Sequence, residues 1–147
     1  MSKYETPMTE WFWDQVGGLL VEEFEAVRRN ANQGQRLIDA VIVLNENKSR
    51  HPRGKKFDIE GRNVIVVQSK HRRLSMGLMG QTLFSLDLIK KLNPSTIRSV
   101  AVCTQDDEVL RPLLEKHKGC EVWVYPVGMA KKIKHNKSTG ALGNKDE

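Results

Sequence analysis

Residues 64–70 read Val64-Ile65-Val66-Val67-Gln68-Ser69-Lys70, a run of β-branched residues that ends in an amide, a hydroxyl and an ammonium. β-branched residues favour strands, and the shortness of the run predicts a buried one. A second such run, Ile38-Asp39-Ala40-Val41-Ile42-Val43, carries an acid near its start. The polar segment between them contains the turn signal His51-Pro52-Arg53-Gly54. We therefore predict that these two strands pair as an antiparallel hairpin.

The hairpin brings polar residues together, because the start of one antiparallel strand lies beside the end of the other. Pairing Asp39 with Ser69 centres the connection on Gly54 and places the acid beside Gln68 and Lys70. Side chains alternate along a strand, so Gln68 and Lys70 share one face while Ser69 lies on the other. The sequence thus predicts an acid, an amide and an ammonium at one end of a sheet.

Hydrophobic periodicity predicts the remaining elements. Apolar residues recur at three- and four-residue steps over about 9–29, which predicts a first helix capped by Thr9, although Gly17-Gly18 weakens it. The later elements are a buried helix over 76–92, a strand over 99–104, a short helix over 107–117 and a strand over 121–125. This order predicts an α/β fold in which helices cover both faces of a central mixed sheet.

Length and composition narrow the class of protein. The chain has 147 residues, 39% of them hydrophobic and 29% charged, which fits one globular domain with a tail. No apolar run approaches the roughly 18 residues of a membrane span, and the first residues lack a signal-peptide pattern. Two cysteines are too few for a disulfide framework. We expect a cytoplasmic protein with no membrane partner, a folded domain over 1–128 and a basic, disordered tail over 129–147.

The positive charge is concentrated in one region. Residues 46–73 contain nine Lys and Arg residues against three acids, an excess equal to the net charge of +6 of the whole chain. A basic stretch is compatible with phosphate contacts in nucleic acid, and also with a solvated loop that keeps an exposed hairpin soluble. The candidate nucleic-acid contacts are His71, Arg72, Arg73, Arg53, Lys55 and Lys56.

The two strand motifs resemble the PD-(D/E)xK nuclease superfamily, whose core joins an acid on one strand to Glu/Gln-x-Lys at the end of the next. Here the second motif is Gln68-Ser69-Lys70, a Q-x-K variant. The following helix carries Gly80-Gln81-Thr82-Leu83-Phe84, similar to the G-Q-x-x-x-Y motif of many members, with Ser85 where Tyr is common. The resemblance covers roughly residues 9–126 and implies a restriction-endonuclease-like, three-layer α/β/α core.

The resemblance also implies a function, the metal-dependent hydrolysis of DNA phosphodiester bonds. Asp39 and the Gln68 carbonyl would hold Mg²⁺ or Mn²⁺, and Lys70 would orient water or stabilise charge on the phosphate. Family members often add a glutamate from the first helix, and the helical wheel favours Glu23. Gln81 would position the lysine, the water or a phosphate. Glutamine in place of glutamate at position 68 removes one negative charge from the metal site.

Two other classes of function stay open at this stage. The chain can keep the same fold and act as an inactive nucleic-acid-binding or assembly subunit. It can also be a small-molecule or regulatory α/β domain, which predicts no salt-sensitive DNA binding. For the nuclease, target recognition would come from a homodimer mate or from a separate specificity or helicase partner, since the sequence shows no specificity domain of its own.

Overall fold

A six-stranded mixed sheet forms the middle layer of the protein, and the computed structural model describes residues 1–128. The strands are β1 (Leu19–Val27), β2 (Arg36–Val43), β3 (Ser49–Arg50), β4 (Asn63–Ser69), β5 (Thr96–Cys103) and β6 (Cys120–Val124). The helices are α1 (Thr6–Val16), α2 (Met76–Lys90) and α3 (Leu110–Glu115). The strand order across the sheet is β3-β1-β2-β4-β5-β6.

Helices cover both faces of the sheet. Met8 and Phe12 of α1 are fully buried against one face, where they pack on residues such as Ile42, Ile65 and Val100. Helices α2 and α3 pack on the opposite face. The three layers follow from strands that are apolar on both sides, because each buried face requires a cover. The predicted α/β class with a three-layer α/β/α core and a mixed sheet is confirmed.

Strand direction determines which ends meet. Strand β2 is antiparallel to both β1 and β4, whereas β4, β5 and β6 are parallel. The beginning of β2 therefore lies beside the end of β4, as the hairpin argument predicted. The register is offset by one residue from the predicted pairing: Ala40 pairs with Val67, so that Asp39 comes next opposite Gln68 rather than Ser69.

The predicted first helix over 9–29 is wrong in its extent. Helix α1 ends at Val16, and residues 19–27 form a strand that pairs with β2. The break lies at Gly17 and Gly18, whose φ angles of 74° and 87° are positive and so end the right-handed helix. A Cβ on Gly18 would lie 2.6 Å from the Val43 carbonyl oxygen, so only glycine permits this close approach of the two strands.

Three further points complete the comparison with the predicted organisation. The predicted tail over 129–147 lies outside the described residues, and the division of the chain at residue 128 stays a prediction. Among residues 1–128, none of the helices combines the length and apolar character that crossing a membrane demands. Both cysteines, Cys103 and Cys120, are buried thiols, as a chain without a disulfide framework requires.

Candidate functional site

The end of the β2–β4 ladder carries the candidate site. Beyond the last pair, the Asp39 carboxylate turns toward β4, and its Oδ2 accepts a hydrogen bond of 2.9 Å from the backbone N–H of Ser69. The backbone N–H of Asp39 lies 3.5 Å from Oε1 of Gln68. The structure therefore brings Asp39 into contact with the segment that ends in Lys70, whose partly buried side chain acts electrostatically on it.

The charge of Asp39 responds to four neighbours. Burial raises the pKa of its carboxyl above the ordinary value of 3.8 and is the largest influence, while the Ser69 N–H opposes it. The negative charge of Glu5 raises this pKa further, whereas the ammonium of Lys70 and the N-terminal amine lower it. Two acids and an ammonium side chain are thus electrostatically coupled at this end of the sheet.

Gln68 links the sheet to helix α2. Its side chain is only 7% exposed, and Nε2 donates a hydrogen bond of 2.8 Å to Oγ of Ser85. Oε1 of the same amide faces the Asp39 N–H. A buried amide needs partners at both ends, and these two contacts hold the Gln68 carbonyl next to the acid.

On helix α2, the residue that contacts Gln68 is Ser85 and not Gln81. Gln81 is exposed on α2, and its side chain makes no hydrogen bond to another residue among 1–128. Ser85, which occupies the position where the family motif often has Tyr, is 5% exposed and bonds to Gln68. Gln81 lies one turn earlier on the same side of the helix. The predicted role of Gln81, to position the lysine, the water or a phosphate, stays a prediction.

Helix α1 reaches the site through its first turn. Thr9 is fully buried, and its hydroxyl lies 2.9 Å from Oγ of Ser69. The prediction that Thr9 caps the helix is wrong, because Thr9 lies inside α1 and the N-cap residue is Glu5. The sequence contained a signal for this earlier start: proline is favoured in the first helical turn, and Pro7 lies there. That signal indicates a helix start before Thr9.

Glu23, the predicted helix acid, lies on strand β1 and not on a helix. Its φ of 51° is unusual for a residue with a side chain, and its carboxylate is 41% exposed. The carboxylate pairs at 3.4 Å with the N-terminal amine and at 3.4 Å with Arg53. Strand pairing nevertheless sets Glu23 across from Asp39, between the pairs Glu22–Ala40 and Phe24–Ile38. The structure thus corrects the element that carries Glu23, and its role as the second acid beside Asp39 stays a prediction.

The loop after Lys70 presents cations beside the site. His71, Arg72 and Arg73 are all exposed. Backbone hydrogen bonds fix this loop, since the Lys70 N–H donates to Val102 at 3.0 Å and the Arg72 carbonyl accepts from Thr104 at 3.0 Å. The Arg73 guanidinium donates to the Asp106 carbonyl at 2.8 Å, whereas the exposed Arg72 side chain makes no hydrogen bond within the described residues and is available for a phosphate.

The other predicted phosphate contacts have different surroundings. Arg53 pairs at 3.1 Å with Glu22, whose side chain is 2% exposed, and Arg50 pairs with the same acid at 2.7 Å. Lys55 and Lys56 line a groove of about 650 Å³ whose wall also includes five acidic residues. Arg53 therefore neutralises a buried acid. The groove beside Lys55 and Lys56 has mixed charge, whereas a surface that binds a phosphate backbone has an excess of cations.

Oxygen ligands are the relevant donors for a divalent cation at this site. Among residues 1–128, no three His, Cys, Asp or Glu side chains lie close enough together to hold a metal ion. The acids at this end of the sheet are Asp39 and, across the β1–β2 ladder from it, Glu23. Mg²⁺ usually takes one or two carboxylates and keeps several waters, so a donor set of two acids and the Gln68 carbonyl is compatible with it.

The fold is similar to that of one solved structure, described as the crystal structure of a repair endonuclease from Pyrococcus abyssi. The TM-score is 0.54 and the identity 17%, and the match covers 85% of this chain and 47% of that chain. The present chain thus spans about half the length of that protein. The likeness shows a shared fold. No protein-family model matches the sequence, and no curated protein does.

Proposed function

We propose that this protein is a metal-dependent nuclease that hydrolyses phosphodiester bonds in DNA. The observation that carries the proposal is the hydrogen bond from the Ser69 N–H to the Asp39 carboxylate, which holds an acid beside the Gln68-x-Lys70 segment. The resemblance of these motifs to the PD-(D/E)xK superfamily, in its Q-x-K form, supports it. The nuclease-like fold shared with a repair endonuclease supports it independently.

The candidate metal ligands are Asp39 and the carbonyl oxygen of Gln68, with Glu23, across the β1–β2 ladder from Asp39, as the candidate second acid. The burial of Asp39 next to a second negative charge raises its pKa, and a divalent cation would offset this unfavourable charge. When bound, Mg²⁺ or Mn²⁺ would polarise the scissile phosphate and lower the pKa of a water ligand. Ser69 holds one oxygen of the Asp39 carboxylate, and within the described chain the other oxygen receives no hydrogen bond.

The side chains of the site have separate tasks in this proposal. Lys70 places a positive charge where negative charge develops on the phosphate during hydrolysis. Gln68 keeps its carbonyl beside the acid because Ser85 binds its amide nitrogen. The exposed cations His71, Arg72 and Arg73 contact phosphates that flank the cleaved bond. Gln81 is exposed on α2 one turn before Ser85, and there it contacts a neighbouring phosphate.

A second candidate function has an observation in its favour. Gln68 supplies a neutral amide where an acid is common, and within residues 1–128 no cluster of three ligating side chains compensates for it. A site with fewer anionic ligands binds Mg²⁺ more weakly. This favours a subunit of the same fold that binds nucleic acid or assembles with a partner without cutting.

One experiment separates the two functions. The purified protein is incubated with plasmid, linear duplex, single-stranded and branched DNA in the presence of Mg²⁺, Mn²⁺ or EDTA. A nuclease cuts at least one substrate with metal and none in EDTA, and Asp39→Asn abolishes the cleavage. Salt-sensitive binding without cleavage under all metal conditions contradicts the nuclease and supports the binding subunit.

A further inference from the structure

Two aromatic rings form an exposed pair directly beside the candidate site. Tyr4 is 58% exposed, and its ring centroid lies 5.3 Å from that of His71, with the planes at 47°. Tyr4 immediately precedes Glu5, and His71 immediately follows Lys70. The pair is therefore one residue away, along both segments, from the charges that act on Asp39.

Cationic residues lie on both chain segments that carry this aromatic pair. The Lys3 ammonium lies 5.4 Å from the centroid of the Tyr4 ring. Arg72 and Arg73, which follow His71 in the chain, are exposed. Aromatic faces bordered by Lys and Arg are the combination with which proteins bind single-stranded nucleic acid, because bases stack on the rings while cations contact the backbone.

The exposure of Tyr4 distinguishes it from the other aromatic residues near α1. Trp11 packs on Trp123 and Tyr125, and Phe12 is fully buried. An exposed ring is common by itself and needs no explanation. Here, however, the ring is held by a second ring, lies beside a candidate hydrolytic site and is bordered by cations, and these three features together indicate a ligand with a flat aromatic group and a negative backbone.

We propose that Tyr4 and His71 form a stacking platform for an unpaired base next to the cleaved phosphate. The proposal rests on the proposed nuclease function and names its substrate class: DNA with unpaired bases at the cut, such as a single strand or a branch. In a continuous duplex both faces of each base are covered by neighbouring bases, and exposing one requires unstacking that costs binding energy. The platform therefore favours single-stranded over duplex substrates.

The test measures binding without cleavage. Anisotropy of a labelled oligothymidylate is measured in EDTA for the wild-type protein and for Tyr4→Ala, Tyr4→Phe and Phe84→Ala. Phe84 is the matched control, because it is 65% exposed on α2 and, within the described chain, has no aromatic partner and no cation over its ring. We expect Tyr4→Ala to weaken binding about tenfold, and Tyr4→Phe and Phe84→Ala to bind within about twofold of the wild type.

A second ligand isolates the base. An oligonucleotide of the same length built from abasic sugars keeps the phosphates but offers nothing to stack, so Tyr4→Ala and the wild type should bind it equally. Equal binding of oligothymidylate by Tyr4→Ala and the wild type overturns the platform. The platform is also overturned if Tyr4→Ala loses as much affinity for the abasic oligonucleotide, or for a duplex of the same length, as it loses for oligothymidylate.

The failure of the platform differs from the failure of the nuclease. If the protein cuts DNA with metal but Tyr4→Ala has wild-type affinity for oligothymidylate, the platform is wrong and the nuclease remains. If no DNA substrate is cut while Tyr4→Ala selectively loses affinity for unpaired bases, the nuclease is wrong and the platform remains as a binding site for single strands.

Discussion

The carboxylate of Asp39 accepts a hydrogen bond of 2.9 Å from the backbone N–H of Ser69, the residue between Gln68 and Lys70. The side chain of Ser69 faces α1, where its hydroxyl lies 2.9 Å from that of Thr9. Gln68 faces α2 through its bond to Ser85. One tripeptide at the end of β4 thus contacts both helical layers and the acid of the neighbouring strand.

The titration of Asp39 gives a prediction for stability. Because its folded pKa is raised above 3.8, the folded protein binds this proton more tightly than the unfolded chain. The stabilisation is fully present below the unfolded pKa and is lost as the pH rises through the folded pKa. Asp39→Asn keeps an oxygen for the Ser69 N–H without the charge. In EDTA, the Tm of this variant should exceed that of the wild type at pH 7.

The pH series supplies the control for that prediction. Near pH 3 Asp39 is mostly protonated in both states, so the Tm difference between Asp39→Asn and the wild type should shrink toward zero. A variant that is less stable than the wild type at pH 7 would show that the ionised carboxylate stabilises the fold, contrary to the cost of burial described above.

The bond between Gln68 and Ser85 should contribute measurably to stability. Ser85→Ala leaves the buried Nε2 of Gln68 without its acceptor, which costs about 1–3 kcal/mol in the free energy of unfolding. The matched control is Thr82→Val, a buried hydroxyl on the same helix that donates only to the Leu78 carbonyl of its own turn. Urea unfolding should give a cost below about 1 kcal/mol for the control, and equal costs for both variants contradict the proposed contact.

The break between α1 and β1 predicts the sign of two glycine substitutions. In a continuous helix, Gly17→Ala and Gly18→Ala would each stabilise the protein by about 1 kcal/mol. With positive φ at both positions, each should instead destabilise it by about 1–3 kcal/mol. Gly18→Ala should cost more, because its Cβ meets the Val43 carbonyl oxygen. Urea unfolding of both variants measures the change in stability. A gain in stability from either substitution would contradict the break and support a continuous helix.

The basic residues should divide into two groups. Arg72→Gln removes an exposed cation beside the site and should weaken DNA binding and reduce the salt slope by about one. Arg53→Gln removes a partner of the buried Glu22 carboxylate, so it should lower Tm and leave the salt slope unchanged. Anisotropy titrations at several salt concentrations measure both slopes. Equal slopes for the two variants contradict this division.

Strands β2 and β4, and with them the approach of Asp39 to Gln68, were predictable from their own sequence patterns. β-branched runs indicate β2 and β4, and antiparallel pairing then determines which ends meet. The extent of α1 was not predictable from periodicity alone. Residues 19–27 carry apolar residues at spacings that suit a helix, and pairing with β2 decides in favour of a strand.

The helical contributions to the site depend on packing that a single sequence does not contain. Glu23 was selected on a helical wheel, and the wheel does not apply to a residue on β1. Ser85 and Gln81 lie one turn apart on the same helix, so only the depth of α2 against the sheet determines which one meets Gln68.

The most direct test of the central claim is the metal-dependent cleavage rate of Lys70→Met compared with that of Lys91→Met. Both variants replace a lysine by an apolar side chain of similar length. Lys91 serves as the control because it is exposed at the C-terminal end of α2, whose N-cap is Ser75. With Mg²⁺ and the best-cut DNA substrate, Lys70→Met should lose at least about 100-fold in rate, while Lys91→Met stays within about twofold of the wild type. Wild-type cleavage by a folded Lys70→Met variant would contradict the assignment of the site.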